Sequence, residues 1–236
     1  MNYLQRKEYF GLSLSLVIII ALLTFINSNY FALTKVTVKG NGLLTNEEII
    51  NFTGLNNGQN IFQIDFDKVS NRLMRQPQIK GVVLERRFPS TVRIIVDERT
   101  PLVVIQQGGD CLLVSKEGWI VDKRKELTDV SLPLLKGLDV KILGNKIKMT
   151  SYIKDSLRYL TGIDEVVNRG ITQIQIDNQR NIIFYLGSSK VEFGQPLNIN
   201  YKIKLFNRIY SQLKKEEKNF DYINLKYYNN PVIKLE

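Results

Sequence analysis

Residues 81–98 read Gly81-Val-Val-Leu-Glu-Arg-Arg-Phe-Pro-Ser-Thr-Val-Arg-Ile-Ile-Val-Asp-Glu98. Two β-prone runs flank Pro89-Ser90, which makes the turn. Strand periodicity puts Val82, Leu84, Arg86 and Phe88 on one side of the first run, and Val92, Ile94 and Val96 together on the second. An antiparallel pair here needs a layer to cover its apolar face, and the residues before it supply one.

Upstream, Thr45-Asn-Glu-Glu48 fits a capping box, in which Thr45 accepts a backbone N–H and Glu48 reaches back. The helix it starts carries Ile49, Ile50 and Phe52 and ends at Gly54, a position suited to a left-handed cap. Asn56-Asn57-Gly58 is turn chemistry. Asp65 or Asp67 can cap a second helix with Phe66, Val69 and Leu73 on one face, stopped by Pro77. Further back, Val36 and Val38 alternate with Lys35, Thr37 and Lys39 until Gly40-Asn41-Gly42 breaks the strand. The order is strand, helix, helix, strand, strand, an α+β unit with two helices on one face of a three-stranded sheet.

Before this unit lies Phe10–Ile26, FGLSLSLVIIIALLTFI, with no charge in it. As a helix it is about 25 Å long, close to the hydrocarbon thickness of a bilayer. Tyr9, Phe10, Tyr30 and Phe31 sit at its edges, where amphipathic rings prefer the headgroup level. A buried core helix would carry a polar stripe, which Ser13, Ser15 and Thr24 do not make. A cleaved signal peptide would need small residues at the cut, and a cut after Ala32 places Tyr30 where one is required. The expectation is a transmembrane helix over 9–27. Arg6 and Lys7 precede it and Lys35 is the first charge after it, so residues 1–8 form a cytoplasmic tail and the rest lies outside.

Downstream of Pro101 the pattern turns to strands. Leu102–Gln106 and Cys111–Ser115 flank Gly108-Gly109-Asp110, a hairpin signal, and Glu117-Gly118 turns into Trp119–Val121. Leu132–Gly137 is extended and apolar. A helix from about Ser151 to Thr161 presents Ile153, Leu157 and Leu160, and strands follow at Ile171–Ile176, Ile182–Leu186 and Lys190–Phe193. From Asn198, the spacing of Ile199, Ile203, Phe206, Tyr210 and Leu213 gives a longer helix with one apolar face, and Lys202, Lys204, Arg208, Lys214 and Lys215 lie mostly off it. Tyr222–Tyr228 and Val232–Leu235 are two strands, or one interrupted at Asn229-Asn230-Pro231.

Composition narrows the chemistry. The 236 residues are 44% hydrophobic and 24% charged, ordinary for folded protein. One cysteine, Cys111, excludes an intramolecular disulfide. The net charge of +10 is scattered along the chain and fits a solvated basic surface near anionic lipid or wall polymer rather than a nucleic-acid footprint. No histidine is present, which removes Ser-His-Asp and Cys-His systems and histidine-ligated metal. Ser151-Tyr-Ile-Lys154 and Ser211-Gln-Leu-Lys214 match Ser-x-x-Lys, but the Ser-Asp-Asn and Lys-Thr-Gly elements that accompany it in penicillin-binding enzymes are missing. Asp110, Asp122 and Asp129 lack calcium-loop spacing. Neither catalysis, cofactor nor metal is expected.

The order of motifs resembles a known family. Val36-Thr-Val-Lys-Gly-Asn41, Leu44-Thr-Asn-Glu-Glu-Ile49, Gly58-Gln-Asn-Ile-Phe62, Leu73 with Pro77-Gln-Ile79, Arg87-Phe-Pro-Ser-Thr-Val-Arg-Ile94 and Glu98-Arg-Thr-Pro101 resemble a POTRA domain. An anchor followed by one POTRA domain resembles the FtsQ/DivIB family of bacterial cell-division proteins. Ser115-Lys-Glu-Gly-Trp119, Leu132-Pro-Leu-Leu-Lys-Gly137, Val191-Glu-Phe-Gly194, Lys202-Ile-Lys-Leu205 and Phe220-Asp-Tyr-Ile-Asn-Leu-Lys-Tyr227 agree with its β domain. Asn224-Leu-Lys-Tyr227 stands where the family often has Asp-Leu-Arg-Tyr.

The resemblance implies a POTRA domain over 33–100 and a mixed, mainly antiparallel β domain with flanking helices over 101–236. It also implies a non-catalytic, single-pass division scaffold at the septum. Its partners would be FtsB/DivIC-like and FtsL-like membrane-anchored proteins, with other division proteins reached through the POTRA domain. The family's partner surface lies at the last strand, onto which Tyr227 and Asn229 fall, with Leu235 further along. In strand addition, alternate side chains such as Leu225 or Tyr227 give specificity. The alternative is a POTRA-bearing chaperone or component of protein export or outer-membrane assembly. Such proteins continue into a long barrel of strands, whereas this sequence stops at Glu236.

Overall fold

The computed structural model describes residues 3–127 and 131–236, with backbone alone at 3–9 and at Val166. Asp129 and the side chains of Arg6 and Lys7, on which the expected orientation rests, lie outside the described residues. The chain divides into two compact units, Met1–Glu98 and Arg99–Glu236.

The first unit opens with helix α1 (Tyr3–Ile26) and continues through β1 (Lys35–Lys39), α2 (Asn46–Thr53), α3 (Phe66–Met74), β2 (Ile79–Arg87) and β3 (Thr91–Glu98). The sheet order is β1-β3-β2, with β1 parallel and β2 antiparallel to β3. Ile49 of α2 and Val69 and Leu73 of α3 are buried with Val92, Ile94 and Val96 of the sheet. The capping box forms as expected: Thr45 Oγ1 accepts from Glu48 N at 3.2 Å and the Glu48 carboxylate accepts from Thr45 N at 2.8 Å. Gly54 takes the left-handed cap at φ 64°.

Of the two candidate caps for α3, Asp65 is the one used, accepting from Lys68 N at 3.1 Å. Asp67 already lies inside the first turn, too far along to cap it. Arg86 does share the core side of β2. Its guanidinium donates to Ile61 O and Ile64 O at 2.8 Å each and lies 4.0 Å over the Phe66 ring, so its charge is met while its stem fills the face. Phe88 lies beyond the end of β2 and is exposed.

Every described side chain of α1 from Phe10 to Phe25 is exposed. Its three hydroxyls bond back to the helix: Ser13 to Phe10 O at 3.0 Å, Ser15 to Leu12 O at 2.8 Å and Thr24 to Ile20 O at 2.8 Å. Among the described residues, no helix is long and apolar enough to cross a membrane. The described side chains of α1 begin at Phe10.

The second unit runs β4 (Pro101–Gln107), β5 (Asp110–Ser115), β6 (Ile120–Arg124), β7 (Leu134–Lys136), β8 (Ile142–Leu143), β9 (Lys146–Ile147), α4 (Ser151–Gly162) and α5 (Glu165–Asn168). It continues through β10 (Ile171–Ile176), β11 (Ile182–Leu186), β12 (Ser189–Gly194), α6 (Ile199–Lys215), β13 (Phe220–Asn224) and β14 (Val232–Leu235). Nine strands form one sheet in the order β14-β13-β12-β11-β10-β7-β4-β5-β6. Three neighbouring pairs are parallel, β4–β7, β7–β10 and β12–β13, and the others are antiparallel.

Parallel neighbours require a crossover, which explains the helices. The segment holding α4 and α5 joins β7 to β10, and α6 joins β12 to β13. The helices bury Ile153, Leu157 and Leu160 from α4, and Ile203 and Phe206 from α6, with Ile174, Phe184 and Phe193 of the sheet. Three glycines at two places are required by geometry. Gly108-Gly109 turns β4 into β5 with φ of 60° and 80°, the left-handed pair a tight hairpin needs. Gly137 ends β7 at φ +83°, where a Cβ would lie 1.9 Å from Ile176 O.

Candidate partner-binding edge

The chain ends in two strands, not one interrupted strand. β14 pairs antiparallel with β13, setting Asn224 opposite Val232, Ile223 opposite Ile233 and Phe220 opposite Leu235. Since β14 is the last strand on its side of the sheet, its outer row of backbone N–H and C=O groups has no strand beside it among the described residues. Val232, Ile233 and Leu235 are 54%, 40% and 43% exposed, an apolar strand at an open edge. Ile233 and Leu235 share the face of the buried Ile223 and Phe220, so they extend the core face past the part that is covered. Lys234 reaches across on the other face to Asp221 at 2.6 Å, and that hydrogen bond holds its ammonium pKa above the ordinary lysine value.

The loop between these strands leaves the sheet at Leu225, whose N–H donates to Glu192 O at 2.8 Å and whose side chain is fully buried. The loop turns through Lys226 to Asn230, where Asn230 N–H donates to Tyr227 O at 2.9 Å. Tyr227 is 71% exposed and Asn229 is exposed. Tyr228 packs edge-on against Tyr201 of α6 at 5.3 Å. Together with Leu197, the loop borders a cleft of about 310 Å³ whose floor includes Lys202.

Lys202 is the exception among the lysines of α6, which the sequence places mostly off its apolar face. It is 1% exposed, and its ammonium donates to Phe193 O at 2.6 Å and Gln195 O at 3.1 Å. It thereby holds the end of β12, where Gly194 passes so close that a Cβ would meet the Lys226 side chain at 2.8 Å. Burial lowers the pKa of the Lys202 ammonium. On the opposite face, the Tyr222 hydroxyl donates to Glu192 at 2.7 Å, and burial together with that carboxylate raises its pKa to about 12.

Of the four residues expected at the partner surface, Tyr227, Asn229 and Leu235 lie exposed along this hairpin. Leu225 lies beneath it in the core. Sequence reading did not single out Val232 and Ile233 at this edge, nor Tyr201, Tyr228 and Leu197 beside the loop. Tyr201 carried a signal, being a large aromatic two positions from both Ile199 and Ile203 and so off the apolar stripe of α6. Ser151 and Lys154, like Ser211 and Lys214, are exposed. Among the described residues no group of histidine, cysteine or carboxylate side chains could hold a metal ion. Cys111 is buried within a small apolar cluster with Val104 and Leu113.

Residues 31–99 match the model of the FtsQ-type POTRA domain, and residues 103–226 match that of the C-terminal region of cell division protein FtsQ/DivIB. The chain is 28% identical over 211 residues to cell division protein DivIB of Clostridium acetobutylicum, covering 88% of this chain and 84% of that one. It is 29% identical over 217 residues to cell division protein FtsQ of Syntrophotalea carbinolica, covering 89% and 76%. For FtsQ of Rickettsia felis the figures are 25% over 252 residues, covering 94% and 90%.

Proposed function

The chain belongs to the FtsQ/DivIB family of cell-division proteins, and we propose that within the division machinery it is a non-catalytic, single-pass membrane scaffold. Its terminal hairpin pairs with an extended segment of a membrane-anchored FtsB/DivIC-like or FtsL-like partner at the septum and so helps control septal wall synthesis. The observation that carries this reading is β14, an edge strand with three exposed apolar side chains. Strand addition there gives backbone hydrogen bonds for affinity, and Tyr227, Asn229, Ile233 and Leu235 flank the added strand for specificity. Leu225 fixes the loop from below.

The anchor belongs to the same reading. A helix exposed on every side with apolar residues, whose hydroxyls bond to their own backbone, suits hydrocarbon and not water. We assign residues 1–8 to a cytoplasmic tail, 9–27 to the membrane, 33–100 to the POTRA domain and 101–236 to the β domain, with both domains outside. Other division proteins are reached through the POTRA domain. A bitopic partner held in the same membrane meets β14 at raised effective concentration.

The test is capture of the partner's extracytoplasmic segment by the full chain in detergent, comparing wild type with Ile233→Lys and Leu235→Lys. Loss of a central contact of about 2 kcal/mol weakens binding roughly thirtyfold. Both positions are exposed, so the fluorescence of the sole tryptophan, Trp119, reports unchanged folding. Undiminished capture by both variants refutes the edge-strand reading. Deleting Phe220–Glu236 is a poorer test, because it also removes the buried Phe220, Ile223 and Leu225.

A further inference from the structure

The end of the first unit that carries α1 has an unusual surface. Aromatic rings lead from the helix into the folded domain: Phe25 meets Phe31 at 5.2 Å, Phe31 meets Phe62 at 5.0 Å, and Phe62 meets Phe88 at 5.4 Å. Tyr30 stacks on Phe25 at 5.9 Å. Of these five, Phe31 is buried, while Phe25, Tyr30, Phe62 and Phe88 are 53%, 61%, 40% and 62% exposed. Four exposed rings in one chain of contacts make an apolar patch of the kind that marks a contact surface.

The helix is also fastened to the domain without slack. Asn60 Nδ2 donates to Ile26 O at 2.7 Å, capping a free carbonyl of the last turn, and Gln63 Nε2 donates to Asn27 Oδ1 at 3.1 Å. The connecting residues are held in turn: Ile61 N–H donates to Phe31 O at 2.9 Å, Leu33 N–H to Gln59 O at 2.8 Å and Thr34 N–H to Ser90 O at 2.9 Å. At the same end, Lys35, Thr91 and Arg87 form one row across the sheet. Lys35 and Arg87 are exposed there, Arg87 beside its partner Glu85.

We propose that Tyr30, Phe62 and Phe88 form a foot that rests in the headgroup region of the bilayer entered by α1, so that the POTRA domain stands on lipid at a fixed tilt. This rests on reading α1 as a membrane anchor. The bilayer is the occupant because the patch is continuous with the apolar surface of α1. Aromatic rings favour the depth at which such a helix leaves the hydrocarbon, and the cations of the sheet end suit anionic phosphate.

The test uses the full chain with Trp119→Phe, reconstituted into phosphatidylethanolamine–phosphatidylglycerol vesicles, with one tryptophan introduced as Phe88→Trp, Phe62→Trp or Leu43→Trp. Leu43 is 46% exposed and its N–H donates to Glu98 at 2.6 Å, at the far end of β3. That end is about 23 Å from Thr91. The foot predicts blue-shifted emission at positions 88 and 62, lost to lipids brominated next to the headgroup, and unquenched, water-like emission at position 43. Unquenched emission at 88 and 62 in protein that floats with the vesicles overturns the foot and leaves the anchor standing. Equal quenching at all three positions overturns it too, because the domain then lies flat. Protein that fails to float with the vesicles overturns anchor and foot together.

Discussion

Lys202 is the residue through which the packing under the terminal loop can be tested most directly. Its ammonium is buried and bonded to two backbone carbonyls, those of Phe193 and Gln195. Lys202→Met keeps most of the stem and removes the charge. Two hydrogen bonds from a charged donor are worth about 3–6 kcal/mol together. Against this stands the desolvation of the ammonium, several kcal/mol per buried ion, which the methionine no longer bears. We expect a net loss of about 1–3 kcal/mol. Lys202→Ala also removes three methylenes from the core, at about 0.8 kcal/mol each, adding roughly 2 kcal/mol.

The assay is urea unfolding read by Trp119, whose ring has the Arg99 guanidinium at 4.3 Å and the Lys146 ammonium at 4.1 Å in the second unit. A pH series gives an independent check. Burial lowers the folded pKa of Lys202, so above that value the unfolded chain binds more protons and stability rises with pH toward the unfolded pKa. The methionine variant lacks that rise. If Lys202→Met is as stable as wild type or more so, the lysine is only tolerated there and the reasoning fails. Equal stability of the Met and Ala variants would refute the packing part.

Two further outcomes test the second unit. Gly137→Ala places a Cβ against Ile176 O at a left-handed φ and destabilises by at least about 2 kcal/mol, read as a lowered urea midpoint. Asp110 is held below the usual aspartate range by hydrogen bonds from Lys123 and then Lys125. Its contribution is therefore present above the unfolded pKa and lost as pH falls through the lower folded value. Asp110→Asn flattens the acid decline in stability below about pH 4, measured by Trp119 fluorescence in urea at each pH.

Sequence and structure agree most closely where the determinants are local. The Thr45–Glu48 box, the Gly54 cap and the Gly108-Gly109 hairpin each rest on residues within a few positions of one another, as does the apolar face of α6. All four form where the pattern placed them. The same locality explains the misjudged Lys202. By helical spacing it stands three residues after Ile199 and four before Phe206, at the border of the apolar face, so only its charge groups it with the solvent-facing lysines, and nothing within four residues shows that two carbonyls at the end of β12 await a donor. Arg86 met the same situation with a different result: its place on the core side was legible, but the carbonyls of Ile61 and Ile64 that make the burial tolerable were not.

The candidate edge divides along the same line. From the sequence alone came the α+β class, the uncharged run at Phe10–Ile26, the order of elements, and the absence of histidine that closes off several kinds of catalysis. Only the tertiary structure decided that β14 folds back on β13 as the outermost of nine strands. In that fold Leu225 is buried in the core while Tyr227, Asn229 and Leu235 are exposed. Periodicity and capping are set by neighbours along the chain, so they can be read in order. Which strand is left at an edge is set by crossovers through α4 and α6 and by pairings between distant segments, and no stretch of sequence carries that by itself.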